Sequence, residues 1–192
     1  MRRRAFLAAA GGGLVALISA GAGVWSQVPV IPKRPEPDAA TALGWIAHRD
    51  GRFTLILPRA EMGQNIATAL KQIACTELGA EWNLVDVVLH ATDMPRVKAT
   101  VGSESVMLFA EPLAQACAAL RDALAEGQAT GQVRVTPRPL ADLRSLRAGG
   151  LIGASPEITQ GREIIIGAPL YAADVRLPGT QYGRVLRAPA SV

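Results

Sequence analysis

The pattern of hydrophobic and polar positions predicts a strand, a helix and a second strand in the middle of the chain. An apolar run over residues 52–58 follows an Asp-Gly turn signal and is typical of a strand. Apolar residues then recur at helical spacing over residues 66–78, and Gly79 suits the end of that helix. A second strand is predicted over residues 84–89. Because these elements have the size of a βαβ unit, the two strands are expected to be parallel if they share a sheet.

The pattern continues with a second helix and then weakens. This helix is predicted over residues 109–126, with Glu111-Pro112 in its first turn, where an acid and a residue without an N–H are both suitable. Residues 128–150 give weaker signals, of one short strand and a broken helix. Strand signals return at residues 163–167 and recur until residues 182–187. The predicted fold class is therefore α+β, built on a βαβα layer.

The first 26 residues have the layout of an export signal. Arginines at positions 2–4 precede an apolar stretch, and Arg-Arg-Ala-Phe-Leu over residues 3–7 resembles the twin-arginine signal, which predicts export to the periplasm. Small residues at positions 20–22 suit cleavage. The alternative is an uncleaved anchor in the inner membrane, because roughly 20 apolar residues can span a bilayer. This segment is left out of the predicted fold, and the prolines of residues 27–42 predict an extended linker.

Composition excludes several classes of protein. The chain has 192 residues, of which 49% are hydrophobic and 19% charged, so it is not a disordered chain. Its net charge is +4, but without the three N-terminal arginines it has 17 basic and 16 acidic residues, which does not predict binding to nucleic acid. Cys75 and Cys117 fall on the apolar stripes of the predicted helices, which favours buried thiols. Two cysteines cannot hold an iron–sulfur cluster, and we predict no metal site built from this chain alone.

Two glycine-containing loops precede the predicted helices. The first, residues 61–65, places Gly63 beside Gln64, and the second, residues 100–106, places Gly102 among hydroxyl side chains. The first amides of a helix have no partner within the helix and favour anions, and glycine allows a ligand to approach the backbone. Each loop alone is more typical of a simple turn or helix cap. Loops that follow successive βα units can, however, line one edge of a sheet, where α/β folds bind ligands.

The sequence around these loops carries several motifs in a fixed order. They read PRAEMGQ at 58–64, TVGSESV at 100–106, EPL at 111–113 and GAPLYAADV at 167–175. As a set they resemble the molybdopterin-binding large subunit of the xanthine dehydrogenase and aldehyde oxidase superfamily, and most closely its isoquinoline 1-oxidoreductase β-subunit branch. The resemblance implies a molybdopterin-binding-like domain over residues 43–150 and the start of an α/β hammerhead over residues 151–192.

The resemblance also implies a role for both loops. It assigns the molybdenum–molybdopterin cofactor to the site, with contacts to its pterin, its metal-bound oxygen or its phosphate from Met62, Gly63, Gln64, Gly102, Ser103 and Ser105. Three residues depart from the family pattern: Asn65 stands where glycine is usual, Val101 replaces a small residue, and Glu104 adds a negative charge near the expected phosphate.

The chain is much shorter than the large subunits of that superfamily. The glutamate that acts as the base in the family mechanism lies downstream of the matched part, so no catalytic residue and no metal ligand are predicted here. Three hypotheses stay open. The chain is one piece of a split large subunit, completed by a partner chain, with an iron–sulfur subunit and a cytochrome c as further partners; or a truncated remnant without cofactor; or a stand-alone anion-binding α+β module. The substrate, an aldehyde or an N-heteroaromatic, is left open.

Overall fold

The computed structural model describes residues 14–17, 44–91, 93–94, 99–147, 149–168 and 171–187. The described residues up to Thr159 belong to one compact unit, and those from Gln160 onward form a second, smaller one. The first unit contains five strands: β1 (Leu14–Leu17), β2 (Gly44–Arg49), β3 (Arg52–Ile56), β4 (Val85–Val88) and β5 (Gly131–Arg134). Its two long helices are α1 (Ile66–Leu78) and α2 (Ser105–Ala125). The α+β class predicted from the sequence is confirmed.

The five strands form one mixed sheet in the order β4-β3-β2-β1-β5. Strands β2 and β3 form an antiparallel hairpin closed by Asp50 and Gly51, whose φ angles are +49° and +76°. Two successive positive φ angles define the type I′ turn that matches the twist of a hairpin. Strands β3 and β4 are parallel neighbours, with Phe53 paired to Val85. The parallel pair predicted on either side of α1 is therefore confirmed.

The hydrophobic core lies where the sheet and the two helices pack together. It includes Ile46 and Leu55 from the sheet, Leu70 from α1 and Leu113 from α2, all with no exposed surface. Cys75 and Cys117 are free, buried thiols, as predicted. Burial raises the pKa of Cys75 to about 11, and burial next to the Glu77 carboxylate raises the pKa of Cys117 further above its ordinary value.

A buried carboxylate attaches the segment after β5 to the end of α1. Glu77 has no exposed surface, and its Oε1 accepts hydrogen bonds from the Ser145 amide at 2.6 Å and the Ser145 hydroxyl at 2.7 Å. Its Oε2 lies 3.7 Å from Nη1 of Arg121, on α2. Residues Leu140–Asp142 and Arg144–Leu146 form two 3-10 turns there, in place of the broken helix predicted over this stretch.

Helix α2 begins four residues earlier than predicted. Its first residue is Ser105, so Pro112 lies inside the helix and not in its first turn. The hydrophobic stripe hid this start because Val106 and Met107 are exposed, at 41% and 70%. The second loop consequently runs directly into the helix.

The structure includes part of the N-terminal segment that the sequence analysis left out of the fold. Residues Leu14–Leu17 form β1, which lies between β2 and β5. The rest of residues 1–26 and the proline-rich stretch 27–42 lie outside the described residues. Within the described part of the chain, no helix combines the length and hydropathy needed to span a bilayer.

The second unit differs from its predicted strand pattern. Residues Gly161–Ile165 form a short helix, α3, and the described residues from 160 onward contain no strand. The isoleucines of this segment are exposed, so they lack the neighbouring strand against which β-branched residues pack. The compact first unit also extends past the predicted boundary at residue 150, since the Thr159 amide donates to Oγ1 of Thr68 on α1 at 3.0 Å. The hammerhead stays a prediction.

Candidate functional site

The two loops singled out in the sequence meet at one edge of the sheet. The first follows β3 and the second lies between β4 and α2, and these parallel strands end at the same edge. The Ala60 amide donates a hydrogen bond to Oγ1 of Thr100 at 2.9 Å, which joins the loops directly. The prediction that both loops line one edge is therefore confirmed.

The first loop is organised by its own carboxylate. Oε1 of Glu61 accepts hydrogen bonds from the amides of Gly63 at 2.9 Å and Asn65 at 3.0 Å, and Oε2 accepts one from the Ala67 amide at 3.0 Å. Glu61 thus occupies the anion position at the start of α1 that the sequence analysis assigned to a ligand. Asn65 has a φ of +64°, a left-handed conformation that asparagine tolerates better than most residues. This conformation explains how asparagine can replace the glycine of the family pattern.

The side chain of Gln64 closes the same loop from the other side. Its Oε1 accepts a hydrogen bond from the Met62 amide at 2.5 Å, and its Nε2 donates to the Ala60 carbonyl at 2.7 Å. The second hydrogen of Nε2 is left for another acceptor. Met62, at 59% exposure, and Gly63 lie on the surface of the loop. All three predicted residues of this loop therefore share one exposed face.

The second loop presents backbone amides that no acceptor among the described residues binds. Gly102 and Ser103 have φ angles of +68° and +53°, and α2 follows at once. Among the described residues, no acceptor bonds the amides of Ser105, Val106 and Met107. Successive amides next to left-handed residues form a concave site for anions. Ser103 is exposed there, whereas Ser105 is buried in the first turn of the helix.

A buried arginine lies where the two loops come together. Arg59 is 2% exposed, and its guanidinium carbon is 4.8 Å from the ring centre of Phe109 on α2. The Phe109 ring in turn packs on Trp45 of β2, at 4.5 Å between centres. Burial lowers the pKa of Arg59, and the negative charge of Glu104 acts in the opposite direction. The guanidinium remains charged, as arginine does in proteins, and so places a fixed positive charge beside both loops.

The sequence analysis did not single out these supporting residues. Arg59 belongs to the first motif, and Phe109 is the first apolar residue of the predicted second helix, so neither was assigned to the site. Thr100 was named only as the first residue of its loop. No spacing rule connects positions 60 and 100, because that contact depends on the parallel pairing of β3 with β4.

Glu104 is the residue that opposes an anion in the second loop. Its side chain lies against Gly102, since a Cβ added at Gly102 would be 3.2 Å from Cγ and 3.3 Å from Oε1 of Glu104. It makes no side-chain cap to the amides of α2. The loop therefore combines helix-start amide donors with an adjacent carboxylate, and the positive charge of Arg59 attracts that carboxylate.

These donors suit an anionic, oxygen-rich group more than a bare metal ion. The second loop offers backbone amides and a serine hydroxyl, at a turn formed by Gly102. The described residues hold no group of three His, Cys, Asp or Glu side chains placed to bind a metal ion. A phosphate or a pterin fits this donor set, and any metal in the site would need ligands from another molecule.

Comparison with known proteins gives two matches. Residues 12–144 match the family of molybdopterin cofactor-binding domains, so the match includes both loops. A segment of 79 residues is 42% identical to part of the membrane-bound aldehyde dehydrogenase [pyrroloquinoline-quinone] of Gluconacetobacter polyoxogenes. That segment covers 40% of this chain and 10% of the relative, so the chain corresponds to only a small part of that protein's length.

Proposed function

Because the chain belongs to the family of molybdopterin cofactor-binding domains, we propose that it is a cofactor-binding piece of a molybdenum hydroxylase subunit. The observation that carries this proposal is the direct contact between the two motif loops, Ala60 N to Thr100 Oγ1, within the matched residues. The order of motifs further supports a place in the isoquinoline 1-oxidoreductase branch.

The two loops would hold different parts of the cofactor. Molybdopterin supplies the metal centre at which hydroxylation and electron transfer take place. The second loop would bind its phosphate through the amides of Ser105, Val106 and Met107 and the hydroxyl of Ser103. The first loop would present Met62, Gly63 and the second N–H of Gln64 to the pterin. Arg59, which is buried where the two loops meet, would attract the negative charge of the cofactor.

We propose that a partner chain completes the pocket. The described residues of the second unit expose apolar side chains, among them Ile165 at 86%, Val185 at 81% and Leu186 at 86%. A unit of this size cannot bury its own apolar residues and needs another surface to cover them. The partner would carry the remaining pterin contacts, and an iron–sulfur subunit and a cytochrome c would accept the electrons. The twin-arginine-like start supports export of the complex to the periplasm.

An aldehyde is the first candidate substrate, because the Gluconacetobacter relative is named as an aldehyde dehydrogenase. That name also gives pyrroloquinoline quinone as its cofactor, whereas the family match of this chain is to molybdopterin binding, and our proposal follows the family match. N-heteroaromatic compounds are the alternative, supported by the resemblance to the isoquinoline branch. A remnant without cofactor and a stand-alone anion-binding module are the competing functions.

The proposal is tested by purifying the full chain with a C-terminal tag from its own cells. Mass spectrometry would identify partners, and metal analysis would measure molybdenum in the same fractions. We expect a large partner and about one molybdenum per complex. A Ser103→Ala variant should lose cofactor while keeping the partner, and Thr130→Ala, in an exposed loop, is the matched control. A soluble chain that is recovered alone and without metal would contradict the proposal and favour the stand-alone module, which phosphate titration would then examine.

A further inference from the structure

Strand β1 has an interior position in the sheet, with a neighbour on each side. All four of its residues pair antiparallel with β2, starting with Leu14 opposite His48. The same four residues pair parallel with β5, where Leu14 lies opposite Gly131. An interior strand makes backbone hydrogen bonds in both directions, so its removal affects two neighbours at once.

Strand β5 depends on β1 for its place in the sheet. Within the described part of the chain, β1 is the strand that pairs with β5, and no other does. β5 carries Val133, which is 8% exposed and belongs to the hydrophobic core. Without β1, the facing edges of β2 and β5 would both present unpaired backbone groups, which are sites for pairing with other chains.

The family match provides a second observation. It begins at residue 12, and so it includes the whole of β1. A segment that is discarded before the protein works would contribute nothing to a cofactor-binding domain. Pairing and family match thus both place residues 14–17 within the domain and not ahead of it.

We infer that Leu14–Leu17 form a permanent strand of the folded protein, so that the chain keeps its N-terminal segment and is not cleaved at residues 20–22. Of the two alternatives for this segment, cleavage and retention, the sheet favours retention. The same four residues cannot pair in a sheet and lie in a bilayer at once, so the retained segment is not a membrane anchor while the sheet is intact. This inference concerns the fold and does not rest on cofactor binding.

The first test cuts the chain between β1 and β2. A specific protease site replaces residues 33–39, within the proline-rich stretch, and the purified full chain is cleaved and passed over a gel-filtration column. We expect the N-terminal fragment to elute with the rest of the protein at a one-to-one ratio and to separate only in denaturant. The inference would be overturned if the N-terminal fragment separated in native buffer while the remaining protein kept its circular dichroism spectrum and melting temperature.

The second test uses the intact chain. Ala16→Pro removes a backbone donor from the interior strand, and we expect the melting temperature to fall by about 6–12 °C. Ala39→Pro makes the same change in the proline-rich stretch and should shift it by less than about 2 °C. Equal melting temperatures for the two variants would contradict a strand at residues 14–17. If Ala16→Pro gives no soluble protein, the gel-filtration test on the cleaved chain takes its place. The inference would also be overturned if mass spectrometry showed that the native protein begins after residue 22.

Discussion

Each loop leads into the first turn of a helix, but the two loops differ in the acceptors that they provide for the amides of that turn. In the first loop, the carboxylate of Glu61 accepts hydrogen bonds from three amides at 2.9–3.0 Å. In the second, the amides of Ser105, Val106 and Met107 have no acceptor among the described residues, and the nearby Glu104 makes no cap. The first loop therefore has an internal acceptor for its helix-start amides, whereas the amides of the second loop are available to an anionic ligand.

This difference gives the two loops different expected roles: the first supports the site, and the second offers the donors for an anion. A carboxylate that accepts hydrogen bonds from helix-start amides stabilises the helix, and Glu61 does so in the first loop. Because those amides are already hydrogen-bonded, the first loop would contact a ligand through Met62, Gly63 and Gln64, which are exposed. The second loop keeps its amides for a ligand. A variant that affects stability should therefore lie in the first loop, and one that affects anion binding should lie in the second.

The largest expected effect comes from removing the internal carboxylate. Glu61→Ala leaves the amides of Gly63, Asn65 and Ala67 without their acceptor, and we expect the free energy of unfolding to fall by about 3 kcal/mol. Glu61→Gln retains one acceptor oxygen and should lose about half as much. Urea denaturation measures both values. Glu81→Ala, at an exposed residue that makes no side-chain cap, is the control and should change stability by less than about 0.5 kcal/mol. A similar loss for Glu81→Ala and Glu61→Ala would refute the role of Glu61.

A smaller effect is expected from a methyl group in the second loop. Gly102→Ala places a side chain on a residue with a φ of +68° and 3.2 Å from the Glu104 side chain, so stability should fall by about 1–2 kcal/mol. Gly51→Ala is the matched control, since Gly51 has a φ of +76° and open space around it. Both variants should lose stability, but only Gly102→Ala should also weaken the binding of inorganic phosphate in an NMR titration. Unchanged phosphate binding in Gly102→Ala would show that anions do not approach the loop at this glycine.

Charge at the second loop should change affinity more than stability. Glu104→Gln removes a carboxylate that lies beside the open amides, and we expect phosphate to bind about fivefold more tightly at low ionic strength. The gain should diminish as salt is added, because ions screen exposed charges. Glu126→Gln, at the opposite end of α2, is the control and should leave the affinity unchanged. If Glu104→Gln binds phosphate no better than the natural chain, then Glu104 does not oppose an anion at this site.

Local patterns were enough to predict the framework of the fold. Helical spacing of apolar residues gave α1, and the size of the βαβ unit gave the parallel pairing of β3 with β4. The pattern gave the wrong element where apolar residues are exposed, because their spacing then no longer follows the secondary structure. Helix α2 starts with the exposed residues Val106 and Met107, and the strand signals of the second unit correspond to an exposed short helix, α3.

The site was predictable in part for a related reason. A glycine before a helix indicated both loops, but the internal acceptor in the first depends on the path of a side chain, which no spacing rule gives. The loop pattern did not single out Glu61, whose carboxylate occupies the expected anion position. The N-terminal segment was left out of the predicted fold because its composition is typical of an export signal, whereas residues 14–17 pair as strand β1.

The last expected effect is confined to alkaline pH and concerns the two helices that follow the loops, each of which buries one cysteine. An unfolded thiol ionises near pH 8.5, whereas the folded Cys75 stays protonated up to its pKa of about 11. The folded state therefore binds more protons between these values, so this contribution to stability is complete below about pH 8.5 and is lost as the pH rises toward 11. Urea midpoints at pH 8 and pH 10.5 should differ less in Cys75→Ala than in the natural chain. Cys117→Ala should show the same change continuing to higher pH, because burial beside Glu77 raises the pKa of that thiol further. Identical midpoint shifts in the natural chain and both variants would mean that neither thiol is protected between α1 and α2.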